Sequence, residues 1–250
     1  MNILFITHQG RLTGSTYSIA FLAEGLAKKG HKVFLAGRVN SLLFSILKNS
    51  SVKLVPMRFK SKTDLQTIKK IRDVVNAENI HIINAQSTKD RYLTIFAKWL
   101  YNLPVKIVHT RRQKPESIGG WLQRWFYIKG TDKIIVVSDE LKKMFIQKGF
   151  SPAHLQVIYN GTPASQYQNI KNERIEELKS QFAIQAGDVV IGCVARMKQQ
   201  GQLIKALPLL NENIKVLFVG IPVGSLDDVI QRHQVKNKII YAGHVSHNDA

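Results

Sequence analysis

Short runs of apolar, β-branched residues alternate with amphipathic stretches along almost the whole chain. NILFIT (2–7) leads into a helical pattern over 16–29, where Ile19, Leu22, Ala23 and Leu26 share one face. KVFLAG (32–37) follows the Gly30-His31 turn, and a helical pattern near 40–48 precedes VKLVP (52–56). Helix 63–78 then leads to IHIIN (80–84), helix 88–101 to VKIVHT (105–110), helix 117–129 to KIIVVS (133–138), and helix 139–148 to LQVIY (155–159). Strands this short and this uniformly apolar are buried on both faces, and helices between them make their neighbours parallel. The pattern predicts an α/β protein with a parallel sheet covered on both sides.

Residues 164–186 break the rhythm: they begin polar, include a charged helical piece and run into Gly187-Asp188. The alternation restarts with VVIGCVA (189–195), a helix over 201–211, KVLFVG (215–220), a helix over 225–233 and KIIYAG (238–243). This divides the chain into an N-terminal Rossmann-like domain (1–163), a connection (164–186) and a second Rossmann-like unit (187–250). Three strands before Ala250 are fewer than the roughly five or six of a doubly wound domain, so the second unit is expected to be incomplete. In open parallel sheets ligands sit beyond the carboxyl ends of the strands. The residues at those ends are His8, Gln9, Gly10 and Gly14; Asn84 and Gln86; His109, Thr110, Arg111 and Arg112; Ser138; Asn160 and Gly161; Arg196; Gly220; and Gly243 with His244.

Composition narrows the class. Hydrophobic content of 44% and charged content of 21% describe an ordinary globular protein. The single cysteine, Cys193, excludes an internal disulfide and fits a reducing compartment such as the cytoplasm. No apolar stretch approaches the length of a membrane span, and NILFI is too short for the core of a signal peptide. The net charge of +19 stands apart. Residues 1–165 hold 26 Lys and Arg against 9 Asp and Glu, a net of +17, whereas residues 166–250 hold 10 against 8, a net of +2. Such an asymmetric field suits an anionic partner: a nucleic acid, an anionic membrane surface or a phosphorylated substrate. A generally basic proteome is the alternative.

Several segments carry more specific information in their order and spacing: TGSTYSIAFLAEGLAKKGHKV, IIVVSDELKKMF, VIYNGTP, IGCVAR with GQLIKAL, LFVG and IIYAGHV. Together they resemble family 4 glycosyltransferases, which have the two-domain GT-B fold. VVSDELKK and IYNGTP are the most diagnostic, and the resemblance covers essentially all of the chain. It implies an N-terminal domain for the acceptor and a C-terminal domain for the nucleotide-sugar donor. Transfer would retain anomeric configuration, with no metal and no other cofactor. Without a metal, Arg, Lys and helix N-termini must stabilise the leaving diphosphate. Arg196 matches the family arginine that contacts the diphosphate, His244 lies where the backbone approaches the nucleobase, and Gly220 ends the middle strand. Gly14 and Ser15 match the loop facing the donor, although the family commonly has Gly-Gly there; Gly14 simply turning the chain is the plainer reading.

The sequence departs from the family in two places. RMKQQGQ is one residue shorter than the family's Arg-Leu-x-x-x-Lys-Gly, with Gln200 where Lys is expected and Lys198 as a possible substitute. The pair of glutamates that binds the donor ribose is expected beyond AGHVSHND, so a complete donor site is not expected from these residues alone, and a partner chain could supply it. In the N-terminal half, VHTRRQ offers either Arg112 or His109 as the catalytic counterpart of the family's Thr-x-His, and His109 could equally be a core residue. Arg111, with His8 and Ser138, is a candidate for acceptor binding.

ESIGGWLQRWFYIKGTDK (116–133) sets Ile118, Trp121, Leu122, Trp125 and Phe126 at helical spacing, with Arg124 and Lys129 beside them. Trp121, Arg124, Trp125 and Lys129 suit an anionic membrane interface; packing on the sheet is the alternative for the tryptophans. RYLTIFAKWLYNLPVK (91–106) mixes the same residue types. Three readings result. The first is a peripheral glycosyltransferase on the inner membrane face, acting on a glycolipid or phosphorylated glycan of the cell envelope or lipopolysaccharide. The second is a catalytically incomplete relative. The third is a basic nucleic-acid binder, which lacks zinc spacing, an RNA-recognition motif or a helix-turn-helix and would bind only nonspecifically.

Overall fold

A computed structural model describes residues 1–114, 120–164, 168 and 170–245. The chain folds as two compact units, Met1–Gln166 and Tyr167–Ala250. The first contains β1 (Asn2–Ile6), α1 (Gly14–Lys28), β2 (Lys32–Gly37), α2 (Leu42–Leu47), β3 (Lys53–Pro56), α3 (Leu65–Ala77), β4 (Ile82–Ala85) and α4 (Thr88–Tyr101). It continues with β5 (Lys106–Arg111), α5 (Trp121–Gly130), β6 (Lys133–Val136), α6 (Asp139–Gln147) and β7 (Leu155–Val157). Every strand and helix expected in this half is present; for α5, the expected start at 117–119, with Ile118, lies outside the described residues.

The seven strands form one parallel sheet in the order β3-β2-β1-β4-β5-β6-β7. β1 is buried throughout its last four residues, and Leu4 and Ile6 face one apolar cluster while Ile3 and Phe5 face another. Alternate residues thus serve opposite layers of helices, which is why the strands read as continuous apolar runs. Polar side chains set the helix boundaries. Asp64 caps α3 by accepting from the Thr67 N–H (3.4 Å) and hydroxyl (2.8 Å), and Asn102, at φ 47°, ends α4 in the left-handed conformation that Asn tolerates. The strand order reverses between β1 and β4, so the loops after these two strands leave in opposite directions and open a crevice.

The second unit holds α7 (Asn172–Gln181), β8 (Val189–Val194), α8 (Gly201–Ala206), β9 (Ile214–Val219), α9 (Asp227–Arg232) and β10 (Ile239–Gly243). Its parallel sheet has the order β10-β9-β8. Ile204, Leu207, Val216, Phe218, Ile221 and Leu226 form its core. The helix expected over 201–211 is shorter, because Pro208 supplies no N–H and the chain tightens into a 3-10 turn at Leu207–Leu209. α7, inside the segment read as a connection, buries none of its residues.

Candidate functional site

The crevice between β1 and β4 is filled by polar side chains. His8 follows β1, and its Nδ1 lies 2.9 Å from Asp90 Oδ1 and 2.8 Å from the Ser87 hydroxyl. The His8 backbone N–H donates to the same Asp90 oxygen at 2.9 Å. Asp90, in the first turn of α4, is fully buried, while the His8 side chain keeps 23% exposure. A carboxylate only accepts, so the short contact with Asp90 calls for an N–H on Nδ1. Asp90 and Ser87 were not singled out from sequence, although a polar QSTKD run directly after an apolar strand was the available signal.

Around this pair lies an unusual concentration of buried polar groups. Thr110 donates to Asn84 Oδ1 at 2.9 Å. Arg112 donates to Gln86 Oε1, and Arg111 donates to the Thr88 hydroxyl at 3.4 Å. Two adjacent arginines, one the last residue of β5 and the other just beyond it, thus reach different residues around the β4–α4 turn. Arg91 is only 3% exposed and sits 3.4 Å from the centre of the Tyr127 ring. Burial lowers both Arg91 and Arg112 to about 10, so each remains charged at neutral pH, and burial raises Tyr127 to about 12. Gln86 Nε2, Asp90 Oδ2, Arg91 Nε, His109 Nε2 and Arg112 Nε are buried without a hydrogen-bond partner among the described residues. Each such atom costs about 1–3 kcal/mol. All five lie towards the carboxyl ends of β4 and β5 or in the first turn of α4, so these unsatisfied polar atoms are gathered in one part of the first unit.

His109 takes the core alternative. It has no exposure, its Nδ1 lies 2.9 Å from the Ala85 carbonyl, and burial together with nearby Arg91 and Arg111 drives its pKa well below the ordinary value. A side chain sealed into the sheet this way does not reach solvent, whereas Arg112 stands at the strand end with its guanidinium on Gln86. Ser138 caps α6, its hydroxyl accepting from the Leu141 N–H at 3.2 Å. That use competes with an acceptor-binding role. Gly14 opens α1 with nothing within 4 Å of where a Cβ would stand, and Ser15 bonds the Thr13 hydroxyl at 2.8 Å.

In the second unit, Arg196 and Lys198 are exposed in the loop after β8. Gln200 is 6% exposed, and its amide braces that loop: Oε1 accepts from the Lys198 N–H at 2.6 Å, and Nε2 donates to the Arg196 carbonyl at 2.8 Å. The residue standing where the family has Lys therefore holds the loop and offers no side-chain group outward. At Gly220, φ is +94° and a Cβ would lie 3.0 Å from the Ala195 carbonyl oxygen. Only glycine lets β9 end against the start of the Arg196 loop. His244, just beyond β10, is exposed.

On α5 the structure turns Tyr127 and Gly130 inward, while Trp121 (68%), Leu122 (61%) and Trp125 (50%) stay exposed. Trp99 of α4 joins them, 6.1 Å from Trp125, and a groove of about 480 Å³ runs between Lys98, Trp99, Asn102, Trp125 and Lys129. Arg124 differs from the outward placement expected of it. Its Nη1 donates to the Lys148 carbonyl at 3.4 Å, drawn to the negative end of α6, so it does not project with the tryptophans. Among the described residues no helix is long and apolar enough to cross a membrane.

Two parallel sheets flanked by helices, of seven and three strands, give an α/β protein with a GT-B-like fold. The model of Glycosyltransferase Family 4 matches residues 12–166, and the chain belongs to that family. No curated protein matches it. A solved glycosyltransferase from Rickettsia africae is 18% identical with a TM-score of 0.83, over 99% of this chain and 69% of that one. Anabaena HepE in complex with UDP-glucose is 18% identical with a TM-score of 0.76, over 98% and 70%. The lipopolysaccharide outer core galactosyltransferase WaaB is 13% identical with a TM-score of 0.67, over 98% and 69%. These likenesses establish the fold.

Proposed function

We propose that the chain transfers a sugar from a nucleotide-sugar to a membrane-associated or phosphorylated acceptor of the cell envelope, with retention and without a metal. The braced loop after β8 carries this reading, because it presents Arg196 and Lys198 to solvent at the strand end where a diphosphate is expected. HepE, solved with UDP-glucose, shares the fold. On this reading Arg196 and Lys198 balance the charge of the departing diphosphate, with the backbone around Gly220 and His244 close to the nucleoside. The acceptor lies at the first unit's crevice, with His8, Arg111 and Arg112 around its nucleophile and Gly14 and Ser15 on the adjoining loop. Exposed Trp121 and Trp125 with Lys129 support attachment to an anionic membrane, on its inner, cytoplasmic face.

Gln200 favours a second reading, a relative that binds nucleotide and does not turn it over, because the expected lysine is replaced by a residue spent on the loop. Calorimetric titration with UDP, followed by assay of UDP release from UDP-sugars, separates the two. The transferase reading expects UDP binding that falls at least tenfold in Arg196→Ala, together with UDP release. Binding without release supports the second reading, and UDP affinity unchanged in Arg196→Ala overturns the role of Arg196.

A further inference from the structure

Ion pairs occur at both ends of the first unit's sheet, Lys114 meeting Glu140 at 3.5 Å at the carboxyl end, but one group of cations stands outside them. Near the amino ends of the strands Lys53 meets Glu78 at 3.6 Å, and Lys98 and Lys106 each meet Asp132 at 3.1 Å. At the carboxyl ends, the loops after β2 and β3 and the first turn of α4 carry Arg38, Arg58, Lys60, Lys62 and Lys89. None of these five makes an ion pair among the described residues.

Two of them converge. Arg38 Nη2 lies 3.5 Å and Lys89 Nζ 3.4 Å from the same carbonyl oxygen, that of Phe59. One neutral acceptor shared at long distance leaves most of the donors of both groups unused. The frame that holds them together is stiff. Gly10 packs so tightly that a Cβ there would lie 2.4 Å from Ser41 Cβ, and its carbonyl accepts from the Leu42 N–H at 2.8 Å, joining the loops after β1 and β2. Asp64 takes the Lys60 N–H at 3.1 Å, fixing the segment that presents the Phe59 carbonyl. The Phe59 ring is 3% exposed and centred 6.3 Å from that of His8. Two cations held this close repel one another, and an anion between them removes the repulsion.

We propose that Arg38 and Lys89 form the binding site for a phosphoryl group of the acceptor, beside His8. The two positive charges match the nearly two negative charges of a phosphate monoester at neutral pH, and its three terminal oxygens can reach both side chains at once. A carboxylate, with one charge and two oxygens, matches neither. The word acceptor rests on the transferase reading; the anion site rests on the geometry of the first unit.

Titration of the full chain at low salt with inorganic phosphate, acetate and dihexanoyl phosphatidic acid below its micelle concentration tests the site. Arg38→Gln and Lys89→Gln are each expected to weaken phosphate binding at least tenfold, with Arg38→Lys retaining part of it and all variants keeping the wild-type melting midpoint. Acetate is expected to bind much more weakly than phosphate. Binding of phosphatidic acid alone, lost in the variants, supports the site and identifies a lipid headgroup as the source. Binding of inorganic phosphate as well supports it for soluble phosphate esters. Phosphate and phosphatidic acid affinities unchanged in both variants overturn the proposal, as does absence of binding to either probe, and acetate binding as tightly as phosphate overturns the phosphoryl assignment. UDP serves as the independent arm. If the wild type takes phosphate through Arg38 and Lys89 but does not bind UDP, the anion site stands and the donor reading falls.

Discussion

Replacing Gln200 by Ala removes the two side-chain hydrogen bonds that brace the Arg196 loop, at 2.6 Å and 2.8 Å, without touching Arg196 itself. At roughly 0.5–1.5 kcal/mol for each bond, the second unit should lose about 1–3 kcal/mol of stability. The loop must then be ordered when ligand arrives, which costs about 1 kcal/mol or more for each residue newly fixed. UDP affinity should therefore drop roughly tenfold or more, at about 1.4 kcal/mol per decade. Two further substitutions dissect the brace. Gln200→Glu keeps the acceptor for Lys198 and loses the donor to Arg196, whereas Gln200→Lys does the reverse. Glu should also repel the diphosphate, so its UDP affinity should fall more than its stability does. The three tryptophans, Trp99, Trp121 and Trp125, all lie in the first unit. Exchange of the β8 amides Ile191–Val194 reads the second unit directly. If Gln200→Ala exchanges these amides at the wild-type rate and binds UDP with wild-type affinity, the bracing role is wrong.

Two more outcomes follow from the geometry. Burial holds the folded-state pKa of His109 well below the ordinary value of about 6.5, so an unfolded chain binds a proton there that the folded chain refuses. Stability from this group is present above pH 6.5 and falls as pH drops below it, by up to about 1.4 kcal/mol per unit. His109→Asn should flatten that part of the denaturation profile against pH, and an unchanged slope would place the titration elsewhere. On anionic vesicles, Trp121→Ala with Trp125→Ala should reduce sedimentation with lipid, and Lys129→Ala should cost about 1 kcal/mol, roughly fivefold. Arg124→Ala should leave vesicle binding unchanged while lowering the melting midpoint, because its guanidinium serves the end of α6. A loss of vesicle binding in Arg124→Ala equal to that in Lys129→Ala would refute this placement.

Sequence alone determined the order of elements, the two parallel sheets and which residues stand at strand ends. Those properties are local: apolar runs bury on both faces, and periodicity distinguishes strand from helix, although the helix read over 201–211 ran past the stop that Pro208 imposes. The strand-end positions of Arg196 and Gly220 were legible for the same reason, each standing directly after or at the end of an apolar run. Other features needed the fold, because they depend on residues far apart in the chain. His8 and Asp90 are 82 positions apart and meet only because the sheet order places β1 beside β4. Arg38, Phe59 and Lys89 come together through the same order, and periodicity carries no record of it. His109 and Arg111 stand two positions apart on one face of β5, so periodicity does not separate them, and only their different depth under the packed elements decided that His109 is sealed and Arg111 reaches Thr88. Gln200 was visible as a departure from the family, but only its two backbone partners made that departure a brace.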